Sequence, residues 1–352
     1  MASRVPRTVL AAEAALGAAS ALGPSWFGLD GTRPWLYAAA LRVPVTGGLA
    51  EAAVLAGAVG LASRGGAGRL ARPVAAVLAV SAVLSGAVVL HRGAGAGHLP
   101  AAQPQDVTVV TANTLHSHAD PEALAAVVVR AGADVVTMPE TTRQLAEEVA
   151  AAVLARGGPA LQVFTREEVL RGSGQTTATS LLVSDRWGAY RQQPADELRM
   201  TYGAVAAVPV AGDGPPLAAV HPVAPVGDEL DVWEREGLAA VAWAQQHPGS
   251  LVGGDFNATL DHPAFAGLGD GPVVDVGAAT GTGARGTWPA KVPALLGSPI
   301  DHVLADSRRW RPVASEVVDL PGSDHRAVVA RVGPALQQQF RVLGLPRGRD
   351  DG

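Results

Sequence analysis

Residues 251–257 have the sequence LVGGDFN, in which a short apolar run is followed by two glycines and two polar residues. The apolar pair predicts a strand, and Asp255 and Asn257 come directly after it. These two side chains lie on the same face if the backbone stays extended, because side chains alternate along a strand. The stretch therefore predicts a pair of polar groups at one strand end, where a binding site can form.

The same pattern recurs along residues 105–332. Short apolar runs predict strands at 107–111, 135–138, 178–183, 205–210, 217–220, 251–252, 300–304, 315–319 and 327–332, with helices at 120–130, 142–155 and 231–246. Polar residues stand at the ends of these strands: Asn113, Glu140, His221 and Asp255 after one, and Asp301, Asp324 and His325 at or just before the start of one. In a sheet with antiparallel neighbours both kinds of end share an edge, so we expect them to converge on one rim. Isolated carboxylates are costly to bury, whereas a cluster that binds a cation is self-consistent.

The polar motifs also have a characteristic order. They are TAN at 111–113, MPE at 138–140, AVH at 219–221, GGDFN at 253–257, PIDH at 299–302 and GSDH at 322–325. In this order they resemble the endonuclease/exonuclease/phosphatase superfamily, the group of DNase I, abasic-site endonucleases, sphingomyelinases and inositol-phosphate phosphatases. The resemblance spans residues 106–332 and implies an α/β fold, a four-layer α-β-β-α sandwich of two mixed sheets. It also implies hydrolysis of a phosphoester with Mg²⁺ or Mn²⁺.

The resemblance implies a cation site with few protein ligands. A hard divalent cation prefers carboxylate oxygens and keeps several waters, so one or two carboxylates suffice. Glu140 is the expected ligand, Asp324 is expected to supply a second or a more distant contact, and Asn113 is expected to orient Glu140 or Asp255. Two departures from the family pattern stand out. Leu115 occupies a position that is acidic in many members, which weakens any claim of a second carboxylate on the first strand, and Pro139 stands where many relatives have glutamine.

The remaining motif residues are expected to act on water and phosphate. Asp255 would orient and deprotonate the attacking water, and Asn257 would hydrogen-bond the phosphate. His325 would donate to a phosphate oxygen while Asp301 accepts from its other ring nitrogen and fixes the tautomer. His221 would be a second phosphate donor or the acid for the leaving group.

Other polar residues near these motifs have simpler interpretations. His116 and His118 have the spacing of neighbours on an extended chain, but loop residues are favoured over zinc ligands. Asp261 and His262 follow the GDFN motif within a predicted loop and are interpreted as solvent contacts. His302 is interpreted as an ordinary strand residue. We expect none of these side chains to take part in the chemistry.

The first 92 residues differ from the rest in charge and hydropathy. They carry a net charge of +5, so the remaining residues carry −10, because the whole chain has 27 Lys+Arg and 32 Asp+Glu. Three apolar stretches predict about three transmembrane helices, at 9–29, 43–62 and 74–90. Two spans are the main alternative, and a signal peptide followed by soluble alanine-rich helices is another.

The flanking arginines predict the orientation of these spans. Five lie on one side (Arg4, Arg7, Arg64, Arg69 and Arg72) and three on the other (Arg33, Arg42 and Arg92). The positive-inside rule then places the N-terminus in the cytoplasm and everything after residue 92 outside. The predicted organisation is a multi-pass anchor in the cell membrane at 1–92, a Gly/Pro tether at 93–104, a catalytic domain at 105–332 and a flexible tail at 333–352.

Composition narrows the function but not the substrate. The chain has no cysteine, which excludes disulfides, thiolate metal sites and a cysteine nucleophile. The net charge of −10 after residue 92 argues against tight sequence-independent binding of duplex DNA. We expect a metal-dependent phosphodiester hydrolase anchored in a lipid bilayer, whose substrate is a nucleic-acid fragment, a phospholipid or sphingomyelin-type headgroup, or a small phosphodiester. The alternatives are a membrane-anchored binder of phosphorylated ligands and, less favoured, a transport subunit.

Overall fold

The structure is a computed structural model that describes residues 32–169, 176–194, 198–269 and 271–335. Its helices are α1 (Arg33–Ala40), α2 (Arg42–Ala62), α3 (Gly66–Arg92), α4 (Pro121–Ala131), α5 (Arg143–Ala155), α6 (Leu230–Gln246) and α7 (Val276–Thr280). Its strands are β1 (Val107–Thr111), β2 (Val135–Met138), β3 (Leu161–Val169), β4 (Thr176–Ser184), β5 (Tyr190–Gln192), β6 (Ala204–Pro209), β7 (Leu217–Val220), β8 (Leu251–Asp255), β9 (Val273–Asp275), β10 (Asp301–Asp306), β11 (Trp310–Asp319) and β12 (Arg326–Pro334).

Two mixed six-stranded sheets pack face to face. Their strand orders are β11-β12-β1-β2-β4-β3 and β5-β6-β7-β8-β10-β9. Because side chains alternate along a strand, Val109 faces the opposite sheet while its neighbour Val110 packs against the helices outside. Helices α4 and α5 cover the first sheet, and α6 covers the second with Trp233 and Trp243 in its core. The predicted four-layer α-β-β-α sandwich is confirmed.

Local sequence explains where the covering helices begin and end. The Asp120 side chain accepts a hydrogen bond from the backbone N–H of Glu122 at 2.9 Å, and Pro121 opens α4 where its missing N–H costs nothing. Gly132 ends the helix in the left-handed conformation, at φ 61°. Thr142 caps α5 in the same way as Asp120 caps α4. These turns fix the loops on either side of β2, which ends just before Glu140.

The strand directions bring the polar strand ends to one edge. Strand β1 runs parallel to β2 and antiparallel to β12, while β7 runs parallel to β8, which is antiparallel to β10. Asp301 at the start of β10 is the direct register partner of Asp255 at the end of β8. The same relation holds in the first sheet, where Thr111 at the end of β1 pairs with Val328 near the start of β12. The expected common rim is therefore present in both sheets.

Helices α2 and α3 form an antiparallel hairpin that is long and apolar enough to cross a membrane, with 21 and 27 residues. Hydrogen bonds also join the pair, such as the one of 2.6 Å between the hydroxyls of Thr46 and Ser85. These helices cover the predicted spans at 43–62 and 74–90. The predicted span at 9–29 lies outside the described residues, as do residues 336–352 of the predicted tail.

Residues 93–98, the first part of the predicted Gly/Pro tether at 93–104, are hydrogen-bonded to the sandwich. The Ala284 N–H donates to the Gly93 carbonyl at 2.7 Å, and the His98 N–H donates to the Ser315 carbonyl at 3.1 Å. Gly93 has φ 71°, and a Cβ there would lie 2.2 Å from the carbonyl oxygen of Gly281. The glycine therefore permits close approach of two backbones, which composition alone does not distinguish from flexibility.

The base of the hairpin is held by Asp261, so the interpretation of this residue as a solvent contact is wrong. Its carboxylate accepts two hydrogen bonds of 2.7 Å from Arg42, and two of 2.7 and 2.8 Å from Arg92. Only 8% of the Asp261 side chain is exposed. Neighbouring His262 is buried as well, with Nε2 3.0 Å from the Leu36 carbonyl oxygen. The loop position concealed this role because the partners lie more than 160 residues away in the sequence.

We predict that Asp261→Asn releases the hairpin from the sandwich. Removal of the charge takes away the carboxylate that two largely buried guanidinium groups share, which costs about 3 to 5 kcal/mol. Hydrogen exchange of the backbone amides of residues 93–98 in detergent micelles should accelerate, and the thermal midpoint should fall. The exposed Asp213→Asn serves as the matched control and should change neither quantity. Unchanged hydrogen exchange in Asp261→Asn would contradict the role of Asp261 in holding the hairpin to the sandwich.

The docked state should be insensitive to pH near neutrality. Burial acts to raise the pKa of Asp261, but the hydrogen bonds and charges of Arg42 and Arg92 outweigh it and lower the pKa. Because the pKa of Asp261 is lowered on folding, its ionised carboxylate stabilises the attachment of the hairpin to the sandwich at every pH above the ordinary aspartate pKa of about 4. This stabilisation is lost only as the pH falls through the pKa of the folded protein. Hydrogen exchange corrected for its intrinsic pH dependence should therefore report the same protection at about pH 6 and about pH 8.

Candidate active site

A cavity of about 840 Å³ opens at the rim where the polar strand ends meet. Six of the eight predicted site residues line it, and they come from strand ends of both sheets: Glu140, His221, Asp255, Asn257, Asp324 and His325. The other two predicted residues, Asn113 and Asp301, are buried directly behind this lining. The structure thus brings together all eight residues that the sequence analysis singled out.

Asn113 joins the two sheets through a single amide group. Its Nδ2 donates to Glu140 Oε1 at 3.1 Å and to Asp255 Oδ2 at 3.0 Å. Its Oδ1 accepts from the backbone N–H of Leu115 at 2.9 Å, so the orientation of the amide is fixed. The prediction that Asn113 orients Glu140 or Asp255 fits these contacts, which reach both residues. Two carboxylates are thereby held on one side of the cavity.

The backbone around Glu140 is held in an uncommon conformation. Glu140 has φ 55°, and Leu115, His116 and Ser117 are also left-handed. The Thr114 hydroxyl donates to the Glu140 carbonyl at 2.9 Å, which locks the two loops together. The His116 N–H donates to Glu140 Oε2 at 3.0 Å. Such conformations persist only where the surroundings enforce them, and here they place the Glu140 carboxylate at the cavity.

Asp255, Asp301 and His325 form a buried group beside Glu140. His325 Nδ1 lies 2.9 Å from Asp301 Oδ2, and His325 Nε2 lies 3.7 Å from Asp255 Oδ2. Burial acts to lower the pKa of His325, but the charges of Asp301 and Asp255 outweigh it and raise the pKa to about 10. Burial, together with the charge of Asp301, raises the pKa of Asp255 to about 7. The group thus combines a protonated donor with a carboxyl that can take up a proton near neutral pH.

His221 has the opposite character to His325. Burial lowers its pKa to about 4, so the ring is neutral near pH 7. Nε2 lies 3.7 Å from Asp255 Oδ2 and 3.9 Å from Glu140 Oε1, whereas Nδ1 is buried without a hydrogen-bond partner among the described residues. The nearby carboxylates favour the proton on Nε2, which faces the cavity. Tyr202 packs against the other side of the ring, with centroids 4.9 Å apart.

Asn257 and Asp324 lie at the edge of the group. The backbone does not stay extended after β8, so the condition under which the side chains of Asp255 and Asn257 would share a face is not met. Asn257 has φ 49°, and its N–H donates to Asp255 Oδ1 at 2.8 Å. Asn257 Nδ2 donates to the Pro222 carbonyl at 3.0 Å. Asp324 is 42% exposed and accepts from Trp288 Nε1 at 3.0 Å. Both residues still line the cavity, and the left-handed turn at Asn257 directs its side chain towards the cavity.

The donor set suits a hard cation. Glu140 and Asp255 present two carboxylates to the same side of the cavity through Asn113, and Oδ1 of Asp301 is buried without a partner among the described residues. Asp255, Asp301 and His325 also offer one ligand atom each within 4.8 Å of one another, a group that omits the predicted ligands Glu140 and Asp324. However, Asp301 and His325 are already hydrogen-bonded to each other. Each carboxylate oxygen of Glu140 and Asp255 accepts a hydrogen bond but keeps further lone pairs for a cation, and these two carboxylates line the cavity.

Several residues at the site were not found from the sequence. His116 was dismissed as a loop residue, yet its Nδ1 lies 3.1 Å from Glu140 Oε2. Position 254, directly before Asp255, requires glycine because a Cβ there would lie 2.0 Å from the carbonyl oxygen of Val220. The glycine pair before Asp255 is the signal that could have indicated this close approach. His302 was interpreted as ordinary and lies behind the site, with Nδ1 2.9 Å from Asp275 Oδ2.

We predict that the two cavity histidines differ in charge in the metal-free protein. His325 should stay protonated from about pH 6 to about pH 8 while His221 stays neutral, as histidine NMR would show. Asp301→Asn keeps an acceptor for Nδ1 but removes the charge, so the pKa of His325 should fall towards or below about 6.5. Asp275→Asn is the matched control, since it should lower the pKa of His302 and leave that of His325 unchanged. A His325 that titrates alike with and without the Asp301 charge would contradict the assignment.

Comparison with known proteins agrees with this geometry. Residues 110–325 match the Endonuclease/Exonuclease/phosphatase family, whereas none of the curated proteins compared with the chain matches it. Among solved structures, the chain is similar to an endonuclease/exonuclease/phosphatase family protein from Leptotrichia buccalis (12% identity, TM-score 0.50, covering 64% of this chain and 99% of that one). It is also similar to the human Nocturnin catalytic domain with bound sulfate (14% identity, TM-score 0.49, covering 68% of this chain and 97% of that one). A third similar structure is humanized D. rerio TDP2 (15% identity, TM-score 0.49, covering 65% of this chain and 99% of that one).

At these identities the solved structures bear on the fold alone, and the Leptotrichia buccalis protein has the same kind of sandwich. The family match carries the further conclusion, because it extends over more than half of the chain and runs from β1 to His325. It includes all eight site residues. This chain belongs to the endonuclease/exonuclease/phosphatase family.

Proposed function

We propose that this protein is a metal-dependent phosphodiester hydrolase. The observation that carries the proposal is Asp255, a buried carboxyl placed between His221 and His325 and held by Asn113 beside Glu140. A binder of phosphorylated ligands needs donors, but it has no need of a buried carboxyl whose pKa is raised to about 7. That carboxyl suits proton transfer from water near neutral pH.

Glu140 is the residue that we assign to the divalent cation, with Asp324 as a more distant contact. Once bound, Mg²⁺ or Mn²⁺ supplies positive charge beside the phosphoryl oxygens and stabilises the charge that develops there. The Asn113 amide and the His116 N–H keep the Glu140 carboxylate in place for this role. Leu115 offers no carboxylate, so the segment after the first strand contributes Asn113 and the His116 N–H to the site but no acidic ligand.

The other residues have separate tasks in the proposed reaction. Asp255 accepts the proton of the attacking water, and the Asn257 N–H and the Asn113 amide keep its carboxylate oriented. His325, positioned by Asp301, donates from Nε2 to a phosphate oxygen. His221 donates from its neutral ring, and its low pKa argues for a phosphate donor rather than for the acid that protonates the leaving group. The Asn257 side chain lies within the cavity for phosphate contact.

We predict that Asp255→Asn reduces kcat for bis(para-nitrophenyl) phosphate by at least about 100-fold, the usual contribution of a general base. The amide has the same shape but does not take up the proton. The measurement is a steady-state assay with Mg²⁺, Mn²⁺ or EDTA, and EDTA should abolish turnover by the unsubstituted protein.

The matched control is Asp213→Asn, which removes an exposed carboxylate that does not line the cavity. It should leave kcat unchanged. Full activity of Asp255→Asn would refute the water-activation role. Activity that persists in EDTA would remove the cation from the mechanism, and binding of phosphodiesters without any turnover would favour the binder.

We also propose that α2 and α3 anchor the protein in the membrane with the sandwich on the outer face. Arg64, Arg69 and Arg72 cluster at the far end of the hairpin, where the positive-inside rule favours the cytoplasm. At the near end, Asp261 neutralises part of the charge of Arg42 and Arg92. This pairing supports the orientation, since the near end then offers less positive charge than the sequence count suggests.

The orientation predicts the behaviour of reporter fusions in a bacterial host. Alkaline phosphatase, which is active only outside the cytoplasm, should be active when fused after the last residue of the chain. A cytoplasm-specific fluorescent reporter at the same position should be dark. The reverse pattern would place the sandwich in the cytoplasm.

A further inference from the structure

Helix α1 is a wall of the active-site cavity. Leu36, Tyr37, Ala40 and Leu41 line the same cavity as Asp255. Leu36 is 1% exposed and packs in the core beneath α6, and its carbonyl oxygen lies 3.0 Å from His262 Nε2. The segment directly before the membrane hairpin is therefore built into the sandwich, and it supplies an apolar face to the reaction site.

The position of α1 relative to the bilayer follows from the hairpin. At 1.5 Å per residue, α2 is about 31 Å long and α3 about 40 Å, enough to cross a hydrocarbon core of about 30 Å. Both ends nearest the sandwich, at Arg42 and Arg92, are bound to Asp261. Because α1 ends only two residues before Arg42, it lies where the hairpin leaves the bilayer. The cavity that it lines then opens at the level of the lipid headgroups.

The mouth of the cavity carries exposed apolar residues. Tyr37 is 46% exposed, Leu41 39%, Val226 55% and Trp288 42%, and all four line the cavity. The turn Ala294–Leu296 beside α2 exposes two further leucines. Aromatic residues concentrate at membrane–water interfaces. An apolar rim that adjoins a membrane hairpin is suited to contact with a bilayer surface.

The cavity lacks the positive charges that the binding of a polyanion requires. Within the parts of the chain that the structure describes, no lysine or arginine lines the cavity. A nucleic acid presents phosphates in series, and its binding relies on several cationic contacts. A lipid presents one phosphodiester beside a long apolar group. The cavity offers donors for one phosphate, at His221, His325 and Asn257, next to an apolar wall.

We propose that the substrate is a membrane phospholipid, whose phosphodiester enters the site while the apolar part of the lipid lies against α1. This inference rests on the proposed hydrolase function and names its substrate class. In the reaction a water oxygen bonds to phosphorus, one phosphorus–oxygen ester bond breaks and the departing oxygen takes a proton. Each turnover therefore yields one phosphomonoester and one alcohol, and the mass of the lipid product identifies the bond that breaks.

The test uses the full-length chain reconstituted with Mg²⁺ or Mn²⁺ in vesicles of phosphatidylcholine, phosphatidylethanolamine and phosphatidylglycerol. Lipid products are followed by mass spectrometry, and hydrolysis of soluble bis(para-nitrophenyl) phosphate and of single-stranded DNA and RNA is measured in parallel. The double variant Tyr37→Glu, Leu41→Glu places charge on the apolar wall at exposed positions. We expect it to lower the ratio of kcat/KM for vesicle lipid to kcat/KM for the soluble ester by at least about tenfold.

Two further variants separate the loss of the apolar character of the α1 wall from general damage to the fold. Tyr37→Phe, Leu41→Met keeps the wall apolar and should preserve the ratio, and Leu154→Glu places one negative charge on an exposed position of α5 and should also preserve it. An unchanged ratio in the charged double variant would overturn the role of α1. Cleavage of DNA, RNA or the soluble ester without cleavage of vesicle lipid would overturn the lipid substrate and leave the hydrolase intact. Failure to cleave any of them would overturn the hydrolase itself.

Discussion

The active site depends on one amide that holds two carboxylates together across two sheets. Glu140 follows a strand of the first sheet and Asp255 ends a strand of the second, and Asn113 Nδ2 donates to both. Two carboxylates that converge without a donor would repel each other and lose hydration. With the donor in place they form a preorganised anionic surface. The family's sandwich therefore serves to bring two strand ends close enough for a single side chain to bridge them.

The same small volume keeps two histidines in different protonation states. His325 is bound to Asp301 and also faces Asp255, so it carries charge, whereas His221 is buried beneath Tyr202 and stays neutral. The difference comes from the surroundings, because a carboxylate oxygen of Asp301 lies 2.9 Å from His325 Nδ1, whereas the nearest carboxylate oxygens lie 3.7 and 3.9 Å from His221 Nε2. The environment thus gives two side chains of one type opposite charge states, as is common where acid–base chemistry takes place.

The sequence predicted the central strands and the site more completely than the edges and the anchor. The short apolar runs of β1, β2 and β7 were predicted with the bounds that the structure has, and the motifs stand at the ends of these strands. Edge strand β3 is half exposed and contains charged residues, so its pattern did not predict a strand. The short edge strand β9 was missed for lack of length. Asp261 and the segment 93–98 could not be interpreted locally, because their partners come from distant parts of the chain.

The docking of residues 93–98 along β11 has a consequence for anyone who wishes to excise a soluble enzyme. Strand β11 lies at the edge of its sheet, and Gly97 bridges to Glu316 while Ala96 accepts the backbone N–H of Val317. A fragment that starts at β1 would lose this cover and leave a long strand open to pairing with another molecule. A shortened gene should therefore keep the glycine run, even though it resembles a dispensable linker.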